Sequence, residues 1–322
     1  MDVALSPEQR DFAEASAKLA ADLTGGWSAG RGPATAELPA PSAEAWARIE
    51  DAGWPSLRTD GGSCVDVCVL AEQLGSHHVP APVLGALIVS EQLRLRGADA
   101  EGRRLAPVLT GDLRAFSRDG SGVVVDAAGA EAALVAGTTL TVHEIADPHA
   151  GADLTRVVGT PGRAMGTIEA TGSADVQDAE TAFALTVVAA DLLGVMQSAL
   201  DAAVEHARTR QQFGHPIGSF QAIQHLLAEC LVSVEGTRSA VWYAAWAVDD
   251  RPPAEALVAA RTAKAYASAA AVEVVEASIQ TFGGIGMTWE ADAHVRQRRA
   301  HLDRRLFGDE HAQYRALAGE AR

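Results

Sequence analysis

From Glu180 to Gly286 the chain carries apolar side chains at helical spacing, punctuated at Gly214, at Pro252-Pro253 and at Gly283-Gly284. Leu193, Met196, Leu200, Val204 and Ala207 form one stripe, in a helix expected to stop at Gly214. Phe220, Ile223, Leu227, Cys230, Val234, Thr237 and Val241 hold a heptad-like seam. The run from Ala254 to Ser278 is rich in alanine, whose small side chain lets helices approach closely. With a last helix expected from about Glu290, the pattern predicts four long helices joined by short connections, packed as a bundle.

The first hundred residues are also mostly helical. Ser6-Pro7-Glu8-Gln9 supplies a hydroxyl cap, a proline at the first helical position and a glutamine three residues after the cap, opening a helix through Leu23. A Gly/Pro/Ala-rich loop is expected over Gly25 to Pro41, and a second helix over Ser42 to Ala52, stopped by Gly53. Val65 to Leu74 and Pro82 to Arg96 read as two more. After Gly97 the texture changes to short β-branched or apolar runs at Leu105 to Leu109, Gly122 to Asp126, Ala132 to Val135, Thr139 to Val142 and Val157 to Val158, ending by about Asp178. The expected fold class is mainly α with a small β domain: an N-terminal helical domain over 1–97, a β domain over 98–178 and a C-terminal four-helix bundle over 179–322.

A formal charge of −16 argues against nucleic acid or an anionic membrane surface as partner, since both select basic patches. An anionic small ligand remains compatible, because it needs only a few local arginines. Lysines are confined to Lys18 and Lys264. No basic, then apolar, leader opens the chain, and no uninterrupted apolar span suggests a membrane helix. Cys64, Cys68 and Cys230 read as buried free thiols of a cytoplasmic protein. A metal site recruiting His77 and His78 to the first two is disfavoured by the apolar run around them, so none is expected.

Two segments carry chemistry. Arg210-Gln211-Gln212-Phe213-Gly214-His215-Pro216-Ile217-Gly218-Ser219-Phe220-Gln221-Ala222-Ile223-Gln224-His225 places an arginine at a helix end, where it complements the helix dipole. Gln280-Thr281-Phe282-Gly283-Gly284-Ile285-Gly286 reads as a helix closed by a glycine cap. In this order and at this separation they resemble the C-terminal half of the acyl-CoA dehydrogenase family of flavoproteins. The likeness is strong from Gly194 to Gly286, fair at Gly53-Trp54, Gly61-Gly62 and Ala71-Glu72-Gln73-Leu74-Gly75, and poor between. The resemblance implies the family's order of domains. It also implies that Arg210 forks onto the pyrophosphate of a neighbouring subunit's FAD and that Phe213 packs on the adenosine. Gln212, Gln221 and Gln280 are implied as polar contacts, with the backbone at Gly283 and Gly284 approaching the ADP moiety.

The same resemblance marks what is missing. The family's general base is a carboxylate, and the positions matching its two usual places are Phe307 and Ala184, with Leu185 where a helix-borne arginine often stands. Asp309 and Glu310 are the fallback bases; together with Asp303 they otherwise read as a solvated helix end, and Glu290 reads as a first-turn helix carboxylate. The middle region matches neither flavin-covering stretch of the family, and no tryptophan lies between Trp54 and Trp242, so the β domain reads as reduced. The expectation is therefore a non-catalytic subunit, resembling the short subunits of actinobacterial α2β2 enzymes of steroid and fatty-acid catabolism. A full-length dehydrogenase partner would hold the flavin ring, an acyl-CoA would be desaturated, and an electron-transfer flavoprotein would take the electrons. The alternatives are a self-sufficient homo-oligomer with a displaced base and a flavin-free scaffold subunit.

Overall fold

The computed structural model describes residues 5–25, 41–98, 104–109 and 122–319, so most of the expected Gly25 to Pro41 loop lies outside the described residues. Helix α1 (Pro7–Thr24) opens with the expected reciprocal cap: the Gln9 amide donates to Ser6 Oγ at 3.2 Å and the Ser6 amide to Gln9 Oε1 at 3.0 Å. Helix α2 (Ala43–Asp51) is capped by Ser42, and Gly53, at φ 70°, turns the chain away from it. A second capping box, Ser63 with Asp66, starts α3 (Cys64–Ser76), and α4 (Val83–Leu95) follows. All three cysteines are buried free thiols.

Five strands, β1 (Leu105–Leu109), β2 (Val123–Val125), β3 (Ala132–Ala136), β4 (Thr139–Ala150) and β5 (Val157–Thr171), close a small barrel in the order β1-β2-β5-β4-β3. Only the β1–β3 pairing is parallel. The sequence reading of β4 and β5 as short runs is corrected: they form a long antiparallel ribbon from Thr139↔Thr171 to Ala150↔Val157, with several register shifts. Much of that ribbon is exposed and contains Pro148, Pro161, Gly159 and Gly162. Backbone pairing, with little burial, holds it together, so no hydrophobic alternation announces it.

Helix α5 (Ala174–Thr209) begins ahead of Glu180 and is capped by Ser173. It packs with α6 (Gln221–Asp250), α7 (Pro253–Phe282) and the shorter α8 (Ala293–Arg305). The expected last helix is two, α8 and α9 (Glu310–Leu317), and Glu290 lies in the turn before α8, whose cap position is Asp292. By length and composition α5 could cross a membrane, correcting the reading that no span has that character, but its most apolar window is almost wholly buried within the protein. Alternation of core stripes on three sides explains the length of that apolar run.

Helices α3 and α5 touch backbone to backbone. A Cβ added at Gly75 would lie 2.1 Å from the Asp191 carbonyl oxygen, and one at Gly194 would lie 2.0 Å from the Glu72 carbonyl oxygen. Only glycine at both positions permits this crossing.

Beside it lies a buried cluster of charge. Arg156, in the β4–β5 connection, donates from Nη1 to both Asp126 oxygens at 3.0 Å and from Nη2 to Asp191 at 3.2 Å. It also pairs with Asp153 at 3.3 Å and Asp303 at 3.4 Å. Arg299 of α8 forks onto Asp191 at 2.9 and 2.6 Å and reaches Thr155 Oγ1 at 2.9 Å. Burial alone would push the Asp191 carboxyl up, but Arg299, Asp303 and Arg156 outweigh it and hold it below the usual range. Burial, reinforced by the Asp191 charge, pushes the Asp303 carboxyl well up. The cluster ties the barrel to α5 and α8. Arg299→Ala leaves Asp191 without its fork and should cost about 3–5 kcal/mol of stability in urea unfolding. Replacing Arg299 and Asp191 together by apolar residues should cost less than the single change.

Candidate functional site

The last turn of α5 and the end of α7 share one end of the bundle. The expected stop at Gly214 is corrected: α5 ends at Thr209, and Arg210 leaves it in extended backbone, its amide donating to the His206 carbonyl at 2.8 Å. A two-stranded hairpin then projects, β6 (Gln211–Gln212) against β7 (His215–Pro216). It turns through Phe213 at φ 53° and Gly214 at φ 79°, the pair of positive φ values that matches the twist of a tight hairpin. Phenylalanine is an uncommon occupant of that conformation. The Ile217 amide closes the base by donating to the Arg210 carbonyl at 2.8 Å.

Phe213 is 91% exposed and meets Phe220 edge-on at 6.3 Å. Arg210, Gln212 and Gln221, the first residue of α6, are exposed as well. Arg210 has no ion-pair partner among the described residues. At the end of α7, Gln280 is exposed and Gly283 takes φ 64° and ψ −139°, a conformation open essentially to glycine. No atom lies within 4 Å of a Cβ built on Gly283 or Gly284, so this backbone faces open space. The ring of His206, four residues before Arg210, stacks on Phe282 with centroids 4.4 Å apart and planes 24° apart. The helix turn that leads into the first motif is thus in contact with the second. A lone guanidinium beside backbone free of side chains suits the pyrophosphate of a dinucleotide such as FAD.

The positions that the resemblance matches to the family's base and its neighbouring arginine have the opposite character. Ala184 is 1% exposed and Leu185 is fully buried, both inside the hydrophobic core. Phe307 packs against two core clusters. The reading of Asp303, Asp309 and Glu310 as a solvated helix end is corrected, for all three are buried. Asp309 accepts the Ala312 amide at 3.1 Å as the cap of α9 and pairs with Arg305 at 2.9 Å. Glu310 pairs with Arg304, whose hydrogen bond holds its carboxyl below the usual range. Sequence reasoning missed these partners because they come from the end of α8, a contact made only by the tight turn between the helices.

Residues 177–321 match the acyl-CoA dehydrogenase C-terminal domain. The chain is 35% identical over 264 residues to acyl-CoA dehydrogenase FadE34 of Mycobacterium tuberculosis, covering 75% of this chain and 36% of FadE34. It is 31% identical over 270 residues to acyl-CoA dehydrogenase IpdE2 of Mycolicibacterium smegmatis, covering 81% of this chain and 80% of IpdE2. The match thus spans about a third of FadE34 and about four-fifths of IpdE2. Among solved structures, a Tcur3481-Tcur3483 steroid ACAD variant superposes with a TM-score of 0.83 at 23% identity, covering 97% of each chain. The ChsE4-ChsE5 complex from Mycobacterium tuberculosis gives 0.80 at 22% identity, covering 99% of this chain and 98% of that one. The chain belongs to the acyl-CoA dehydrogenase family.

One buried cation shapes the turn that carries Phe307. Lys264, fully buried in α7, donates from Nζ to Ser268 Oγ at 2.8 Å, the Arg304 carbonyl at 2.9 Å and the Gly308 carbonyl at 3.1 Å. Gln313 Nε2 adds a bond to the Phe307 carbonyl at 2.7 Å. Together they hold Phe307 at φ 58° and Gly308 at φ 93°. The only signal in the sequence is a lysine standing alone in an alanine-rich helix. Burial pulls the Lys264 pKa down to about 7, against the nearby Asp303, Asp309 and Glu310 charges. Because this folded value lies below the unfolded one, the unfolded chain binds more protons between them. The Lys264 contribution is therefore least favourable below pH 7 and improves as pH rises toward the ordinary lysine range. In urea unfolding at stepped pH, stability relative to Lys264→Met should climb above pH 7, by at most about 1.4 kcal/mol per pH unit.

Proposed function

We propose that this chain is the non-catalytic subunit of a heteromeric acyl-CoA dehydrogenase and completes the FAD site of a full-length partner in an α2β2 assembly. One contrast carries the reading: Arg210, Gln212, Phe213, Gln280 and the Gly283-Gly284 turn all lie open to solvent, whereas Ala184 and Phe307 are packed into the core. A surface shaped for a nucleotide and left open suits a cofactor that belongs mainly to another subunit. Arg210 would take the pyrophosphate, Phe213 the adenosine, and Gln212, Gln221 and Gln280 the remaining polar groups of the ADP half. Gly283 and Gly284 would let the backbone close on it. FAD, when bound, supplies the hydride acceptor for desaturation of an acyl-CoA between its α and β carbons. The partner would provide the base, the flavin-ring pocket and the thioester groove, and an electron-transfer flavoprotein would accept the electrons.

The steroid ACAD and the two-component ChsE4-ChsE5 complex among the fold neighbours support a paired assembly and favour a bulky acyl group such as a steroid side chain. The ion pairs and capping bonds of Asp309 and Glu310 weigh against either one as a displaced base.

The test is co-expression with a full-length relative that retains its carboxylate base, followed by flavin counting and acyl-CoA:dye activity. The pair should be yellow and active, and this chain alone should be colourless and inactive. Arg210→Ala should weaken FAD retention by the pair roughly thirty- to hundredfold, the loss of one charge-assisted fork to phosphate. A yellow chain that reduces dye by itself would overturn the reading in favour of a self-sufficient enzyme. Flavin content unchanged by Arg210→Ala would overturn it in favour of a scaffold.

A further inference from the structure

We infer that His206 is a positioning residue that makes the Arg210 arm and the Gly283-Gly284 turn a single surface. The two segments are far apart in sequence, and each is tethered to its own helix end. What joins them is the face-to-face contact of His206 and Phe282, 4.4 Å between ring centroids. Phe282 immediately precedes Gly283, and the Gly283 amide in turn donates to the Gln280 and Ile279 carbonyls. On the other side, the His206 carbonyl accepts the Arg210 amide at 2.8 Å, fixing where the hairpin departs. One residue therefore holds the arm with its backbone and the turn with its ring.

Two glycines press the surrounding chain onto this joint. A Cβ at Gly286 would lie 2.9 Å from Phe282 Cβ, so the short turn after α7 folds back over the stacked phenylalanine. A Cβ at Gly218 would lie 2.9 Å from the Ala207 carbonyl oxygen, so the turn after the hairpin seats on the residue next to His206. The turn after the hairpin thus rests on the last turn of α5, the turn after α7 folds onto Phe282, and the ring stack links the two. Stacked aromatic pairs contribute enough beyond their buried area to make such a coupling measurable. Partial burial and the neighbouring Arg210 charge both lower the His206 pKa, which favours the neutral ring. A neutral ring stacks on phenylalanine without adding a charge to be desolvated.

This coupling rests on the nucleotide-facing reading for its use, but its existence can be measured on the chain alone, without flavin. Hydrogen exchange on His206→Ala should be about three- to tenfold faster at Ile217 and Phe220 in the arm and at Gly283 and Thr288 in the turn. The interior amides of α5, α6 and α7 should be unchanged. His206→Phe, which restores the stack, should return both segments to wild-type rates. If Ala loosens the whole bundle, His206→Leu, which fills the space without a ring, gives the same comparison. Acceleration confined to one segment, or no rescue by Phe, would overturn the inference. In the flavin-loaded pair, His206→Ala should also weaken FAD retention while His206→Phe does not. Loss of coupling with flavin binding intact would refute the positioning role, whereas intact coupling with flavin binding indifferent to Arg210→Ala would refute the nucleotide reading.

Discussion

The buried guanidinium of Arg156 reaches four aspartates drawn from four parts of the chain: Asp126 after β2, Asp153 in the β4–β5 connection, Asp191 on α5 and Asp303 on α8. Without water to screen them, such charges tolerate only an arrangement in which each is met by its opposite. The cluster therefore fixes the barrel against the helices in one orientation. Gly85 joins it by donating its amide to Asp126 at 2.7 Å, which brings the start of α4 to the same point. Burial and the neighbouring Asp191 charge push the Asp303 carboxyl up, toward its neutral form. Hydrophobic burial gives the bundle its stability, and this cluster gives the barrel its place.

Seen from that joint, the molecule has two ends with different chemistry. Toward the α8–α9 turn, Ala184 and Phe307, which the resemblance matches to the family's carboxylate base, and Leu185, which it matches to a nearby arginine, are apolar side chains packed in or against the core. Lys264, Gln313 and two arginine–carboxylate pairs then lock the turn around them. Toward the ends of α5 and α7, backbone and side chains are left unburied, and a phenylalanine is held almost fully exposed in a left-handed conformation. Phe213 and Phe220 leave exposed apolar surface there on an otherwise strongly acidic protein. The interior has been closed by packing and the outer surface kept open by glycine and a projecting hairpin.

Rigid placement of the open surface follows from the helix packing beneath it. Gly75 and Gly194 let α3 and α5 meet at backbone contact, and the alanines of α7 let it lie close along α5. Small residues at these contacts leave little play for sliding or rotation. The last turn of α5 inherits that rigidity and passes it to the hairpin through Arg210 and to α7 through the His206–Phe282 stack.

The sequence by itself determined much of the helical architecture, because caps, stripes and punctuation act within a few residues: the Ser6–Gln9 box, the Pro252-Pro253 break and the Gly283 cap all act where they stand. It also pointed to the family, since the Arg210 and Gly283-Gly284 segments carry the family's motifs in the matching order and at the matching separation. Where backbone pairing replaced burial, as in the long β4–β5 ribbon, no pattern of side chains revealed it. The tertiary structure alone decided that α5 ends at Thr209 and gives way to a hairpin, and that Asp303, Asp309 and Glu310 are buried. It alone brought His206 onto Phe282. His206 and Phe282 are distant in sequence and meet only once α5 and α7 have packed, while the arginine partners of Asp309 and Glu310, though near in sequence, reach them only because the chain turns sharply between α8 and α9.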